Sequence, residues 1–219
     1  LREVSGGFDY SGLKRPEASN RRIERLFGSG IIISPMLLSE CRGERVVVQS
    51  VLRESELNQL TTCCKGLEGL IEWLDSIDER PTLAELDRRL SGIGVNLDEL
   101  HNHIGYSDSG YQRNVLKKTE HYELVTVCWK PGQVTPIHDH IGSDCAFVIL
   151  EGTCTETQYK LNSEGFAVKS GQRIFSPGEV CAADEPDIHR VSNVQDGNLI
   201  NLHVYTPPLS GFGIYQAAE

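Results

Sequence analysis

The stretch "PIHDHIGSDC", Pro136 to Cys145, decides how the rest of the chain is read. In an extended strand, residues two apart point to the same face. His138 and His140 therefore project together, as a chelating metal site needs, and Asp139 points the other way. An H-x-H pair alone is weak, because such pairs arise by chance. The spacing around it strengthens the reading. Gly132 stands before the pair, Cys145 and then Gly152 follow it, and Gly171 and Pro177 lead toward His189, with Asn193 just beyond.

Outward from this stretch the sequence has the style of strands. "HYELVTVCWK" alternates and is rich in β-branched and aromatic residues. "CAFVILEGTCTETQYKL" reads as two strands joined near Gly152. "FAVKSGQRIFSP", "HRVSN" and "NLINLHVYTPP" follow, each bounded by Gly, Pro or Asn-Asp turns. Short strands with closely spaced turns predict an all-β barrel or double-sheet jelly roll from about residue 106 to 219.

Upstream, residues 51–105 carry helical patterning. "LEGLIEWLDSID" places Leu67, Leu70, Ile71 and Leu74 on one helix face. Thr82 with Glu85 forms a capping box, Asn96 with Glu99 repeats the logic, and Pro81 stops the preceding helix. Three short helices packed against a sheet are expected, with His101 and His103 at the surface. Residues 1–50 hold Gly and Ser clusters, the basic "NRRIER" and no sustained period, and are expected to be an extension of unassigned order.

Composition narrows the partners. A formal net charge of -10 argues against nucleic acid, which is bound by clustered Lys and Arg. The apolar run "GIIISPMLL" is broken by Ser34 and Pro35 and is too short to span a bilayer, so no membrane segment and no secretory signal are expected. The 7 cysteines are odd in number, irregularly spaced and without C-x-x-C. They are expected to be reduced, Cys128, Cys154 and Cys181 as packing residues, in a reducing, cytoplasmic setting.

The combined spacing resembles the paired motifs of the cupins, in which two histidines, a glutamate and a third histidine hold a metal. The resemblance implies a cupin barrel with His138, His140 and His189 as ligands. The sequence departs from the cupin pattern in two places. The segment between Pro177 and His189 is longer and irregular, and Cys145 stands where the glutamate would be. Without that carboxylate, three neutral imidazoles leave a divalent ion its full charge and more open positions. Such a site favours an anionic bidentate substrate, such as a thiolate with a neighbouring amine, and leaves a place for dioxygen on Fe(II).

Within the cupins, the stretches "YQRN", "IHDHIGSDC", "EGTCTET", "IHRVSN" and "LHVYTPP" resemble the cysteine dioxygenases in order and approximate spacing. This resemblance implies that Fe(II) on the three histidines accepts L-cysteine and O2, and that the thiol leaves as a sulfinate. It implies that Arg113 holds the substrate carboxylate with Tyr111 beside it. Tyr205 would point its phenol at iron and substrate, supported by His203, and Cys145 could form a thioether with Tyr205. Asn201 departs from the serine common in the family two residues before that histidine, and a cis bond before Pro207 is allowed. A monomer is expected.

Each residue has a plainer reading: Arg113 as a surface arginine, Tyr205 with His203 as a core pair, Cys145 as a core thiol. The alternative functions are a dioxygenase for another small thiol such as 3-mercaptopropionate, a non-catalytic metal- or ligand-binding cupin, and an isomerase. Glutamine and glycine at the arginine and cysteine positions would resemble the 3-mercaptopropionate enzymes, and Arg113 and Cys145 speak against them.

Overall fold

The computed structural model describes residues 48–183 and 187–218. The rest of the predicted extension, residues 1–47, lies outside the described residues, as do Cys41 and residues 184–186 within the irregular segment before His189.

Two sheets form the body. The six-stranded sheet has the order β1 (Val48–Val51), β2 (Gln112–Lys118), β3 (Glu123–Trp129), β10 (Leu199–Thr206), β5 (Asp144–Glu151), β8 (Val180–Ala183). The five-stranded sheet runs β11 (Ile214–Tyr215), β4 (Ile137–His138), β9 (His189–Ser192), β6 (Cys154–Leu161), β7 (Ala167–Phe175). Apart from the parallel β1–β2 pair, neighbours are antiparallel. This is the jelly-roll architecture that the short, turn-bounded strands predict.

The six-stranded sheet is covered on both faces, which explains the composition of its central strands. On β10, Leu199 and Tyr205 point into the barrel with Val125, Val127, Phe147 and Ile149. The intervening Ile200, Leu202 and Val204 pack outward against the helices. Every residue of β3 and β10 is buried as a result. The turn between β5 and β6 needs a glycine: Gly152 has φ +78°, and a Cβ there would lie 2.3 Å from the Asn198 carbonyl oxygen.

The helical layer has four helices where the pattern predicts three: α1 (Glu54–Cys63), α2 (Lys65–Ser76), α3 (Leu83–Leu90) and α4 (Leu97–His101). The additional helix, α1, buries Leu60 alone, so its periodicity is faint. Helix α2 buries Leu67, Leu70, Ile71 and Leu74, the stripe read from the sequence. Thr82 and Glu85 close a reciprocal capping box on α3, and Asn96 accepts from the Glu99 backbone N–H on α4. His101 is exposed beside Glu151, and His103 contacts Glu99. Among the described residues no helix is long and apolar enough to cross a membrane.

Candidate metal centre

Strand pairing brings the histidines together. His138 on β4 lies directly opposite His189 on β9, and His140 follows β4 by one turn of the backbone pleat. The three rings have centroids 4.8–4.9 Å apart, and their ligand nitrogens all lie within 4.8 Å of one another. Burial, reinforced by the neighbouring imidazoles, pushes His138 down to about 3 and His140 down to about 2. These two can thus present neutral nitrogens, the form that binds a cation.

Second partners set two of the rings. His138 Nδ1 is 3.0 Å from the Pro136 carbonyl oxygen. His189 Nδ1 is 2.9 Å from Glu156 Oε1 and 3.1 Å from Asp187 Oδ2. Donation from Nδ1 leaves the Nε2 lone pair for a metal. His189 Nε2 is buried and makes no hydrogen bond, as expected of a nitrogen whose partner is a metal. Glu156 is fully buried and also accepts from Arg173 Nε at 2.6 Å. Burial would raise its carboxyl, but the His189 and Arg173 hydrogen bonds hold it below the ordinary range. The residues fit a divalent metal bound by imidazole.

Tyr205 lies beside this cluster, its ring centroid 5.7 Å from that of His140. Its hydroxyl is 3.3 Å from His203 Nδ1, and His203 stacks on Phe147 at 4.7 Å. Cys145 is the direct cross-strand partner of Tyr205 between β5 and β10, and its Sγ is 3.7 Å from His203 Nδ1. Directly opposed side chains in a sheet have Cβ atoms about 5 Å apart, which puts the thiol beside the phenol ring. Burial raises the Cys145 thiol and holds the Tyr205 phenol well above its usual range, so both are protonated at neutral pH. Arg113 lies across the Tyr205 ring, with Cζ 5.3 Å from its centroid. Tyr111 stacks on Trp129 at 4.6 Å, and burial pushes its phenol up to about 12.

Histidines, Tyr205, His203, Cys145 and Arg113 therefore gather in the barrel, with Tyr111 against its wall. Asn201 points elsewhere, and its Oδ1 accepts from Trp129 Nε1 at 2.7 Å. The bond before Pro207 is cis. Cys128, Cys154 and Cys181 are buried, and the six cysteines among the described residues are free thiols.

Several neighbours of the site escaped the sequence reading. Asp139, the residue between the two ligands, accepts from Gly213 N at 2.6 Å and from the Tyr215 hydroxyl. It pins the C-terminal segment, with Phe212 edge-on to His138, onto the metal strand. Glu156, itself held by Arg173, supports His189, and Asp187 lies beside them. Glu123 holds Arg113, donor Nη2 to Oε1 at 2.8 Å. Its signal was present in "YELVTV", where an acidic residue shares the inward alternation of Val125 and Val127.

A jelly-roll barrel with three convergent histidines defines the metal-dependent cupins. The model of the family "Cysteine dioxygenase type I" matches residues 89–218, and the chain belongs to that family. Human cysteine dioxygenase type 1 is 32% identical over 153 residues, covering 58% of this chain and 75% of the human protein. The Danio rerio enzyme of the same name is 29% identical over 153 residues, covering 65% of this chain and 75% of its own length. A Klebsiella pneumoniae protein with a double-stranded β-helix domain is structurally similar, with TM-score 0.44 and 19% identity, covering 53% of this chain and 88% of that one. Family membership supports a thiol dioxygenase that uses a metal, a small-molecule substrate and O2.

Proposed function

We propose that the protein oxidises L-cysteine to cysteine sulfinate with both atoms of O2, at one ferrous ion held by His138, His140 and His189. The observation that carries this reading is the continuous path from the histidine cluster through Tyr205 to Arg113 inside one barrel. A ferrous ion there would supply coordination sites for a thiolate and for dioxygen and the electrons that activate the latter.

The chain's own residues would do the rest. Arg113 is a planar fork suited to a carboxylate and, beside the Tyr205 ring, would orient the carboxylate end of a small amino acid. Burial works against its charge, but the Glu123 carboxylate hydrogen-bonded to it raises its pKa, so it stays cationic. Tyr111 flanks the carboxylate end against Trp129. Tyr205, protonated, donates a hydrogen bond toward the reacting sulfur and oxygen, and His203 Nδ1 fixes where the phenol points. The apolar wall of Phe147, Ile149 and Val127 limits water around the reacting atoms. Cys145, opposite Tyr205, is placed to join its ring as a thioether by loss of two hydrogens to an oxidant such as O2. Reduced thiols suit a reducing compartment, and we place the enzyme in the cytoplasm. All proposed site residues come from one chain, so a monomer suffices.

The test is oxygen consumption by the iron-loaded protein with L-cysteine. Uptake matched mole for mole by sulfinate, with both oxygens from labelled O2, is expected. No uptake by protein that demonstrably holds iron would refute the reading and leave a non-catalytic metal-binding cupin. Faster turnover of 3-mercaptopropionate than of L-cysteine would move the assignment to that substrate.

A further inference from the structure

The arginine proposed to receive the substrate carboxylate already holds one. Arg113 Nη2 donates to Glu123 Oε1 at 2.8 Å, and both side chains are largely buried, 12% and 2% exposed. Lys118 Nζ stands 3.6 Å from the other oxygen, Glu123 Oε2, which makes no hydrogen bond.

The register explains why this carboxylate faces the site. Lys118 on β2 lies opposite Glu123 on β3, Glu123 opposite Tyr205 on β10, and Tyr205 opposite Cys145 on β5. Directly opposed residues share a face, so Glu123 belongs to the interior row that carries Tyr205 and Cys145. Its inward neighbours along β3, Val125 and Val127, are apolar and buried. A carboxylate in such surroundings is costly unless cations hold it, and Arg113 and Lys118 do so.

We propose that Glu123 is a specificity-determining residue, a resident carboxylate that competes with the substrate carboxylate for Arg113. It would set how strongly the pocket prefers a thiol bearing a carboxylate over one without. The inference rests on the reading that Arg113 receives that carboxylate. Two carboxylates drawn to one guanidinium repel each other, and like charges at this range disfavour one another strongly. Lys118 offsets part of the repulsion. Glutamine at position 123 would keep the shape and an acceptor for Arg113 Nη2 while removing the charge.

The experiment is anaerobic calorimetry on the iron-loaded protein, with L-cysteine and with 2-aminoethanethiol, which lacks the carboxylate. Glu123→Gln is expected to tighten L-cysteine by about tenfold, the order of a one-unit change in carboxylate pKa beside a neighbouring charge, and to change 2-aminoethanethiol by less than about threefold. Lys118→Met is expected to act in the opposite direction, weakening L-cysteine and sparing 2-aminoethanethiol. Glu123→Gln binding L-cysteine equally or more weakly, or shifting both thiols alike, would overturn the proposal. Should Glu123→Gln melt early and fail to fold, the Lys118→Met result decides, and an unchanged preference there overturns it. If the wild type binds neither thiol, the proposal stands only if Glu123→Gln gains L-cysteine. Absent oxygen uptake by the wild type refutes the proposed activity and leaves these binding comparisons readable.

Discussion

Replacing Glu156 with glutamine should loosen the metal without dismantling the barrel. Glu156 accepts at once from His189 Nδ1 at 2.9 Å and from Arg173 Nε at 2.6 Å, with the Cys181 thiol 3.6 Å away. Glutamine retains one acceptor oxygen and presents an NH2 group in place of the other. One of the two donors loses its acceptor, and the surviving bond becomes neutral on the acceptor side. A hydrogen bond to a charged group contributes about 1.5–3 kcal/mol and a neutral one about 0.5–1.5, so the support of His189 weakens by about 1–2 kcal/mol. That corresponds to roughly a tenfold loss of metal affinity, at the lower end of the ~10–100-fold seen when partners of metal-bound histidines are removed. Arg173 is 38% exposed and can turn to water, which limits the damage to the fold. The assay is anaerobic competition for Fe(II) between protein and a chelator, beside a thermal melt of the metal-free protein. Affinity within about twofold of wild type, in a variant that melts normally, would refute the idea that Glu156 orients a metal ligand.

Four further outcomes are expected. Arg113→Lys keeps a cation for Glu123 but loses the planar fork, so KM for L-cysteine should rise by about tenfold, measured by initial rates. Intact mass of the protein after turnover should include a species lighter by two hydrogens, absent from Cys145→Ser and from Tyr205→Phe, and no such species in active wild type would dismiss the cross-link. Asp75 accepts from the Tyr122 hydroxyl at 2.7 Å and from Lys117 at 2.6 Å, and these bonds outweigh burial to lower its carboxyl below the usual value. Its folded pKa lies below the unfolded one, so its contribution is present above about pH 4 and is lost as pH falls through the folded value, and Asp75→Asn should flatten that acid limb in denaturant melts. Tyr122→Phe should cost about 1 kcal/mol at neutral pH.

How much of this was legible depended on whether a residue's signal is local. The α2 stripe and the α3 capping box are written in neighbouring residues, and the structure has both. His138 and His140 share a face through the pleat alone, and spacing linked them to His189. Helix α1 was missed as a separate element because it buries one residue. Strands β8 and β11, of 4 and 2 residues, were also missed. Strand β1 lies at the edge of the region read as an extension, and its pairing with β2 joins residues 64 apart, which no local pattern encodes. The same holds for the supports of the site. Glu156 meets His189 across β6 and β9, and Asp139 meets Tyr215 across β4 and the C-terminal segment, contacts set by topology. Asn201, which departs from the family's serine, turns its oxygen to the Trp129 indole, a contact across β3 and β10 that no local pattern encodes.

The central claim is that His138, His140 and His189 jointly hold one metal ion. Its most direct test is the iron content of protein reconstituted anaerobically with Fe(II) and freed of excess, for wild type and for each single His→Ala variant, with folding checked by circular dichroism. The account predicts one iron per wild-type chain and a severe loss in every one of the three variants. Iron retained at the wild-type level in any folded variant would contradict it.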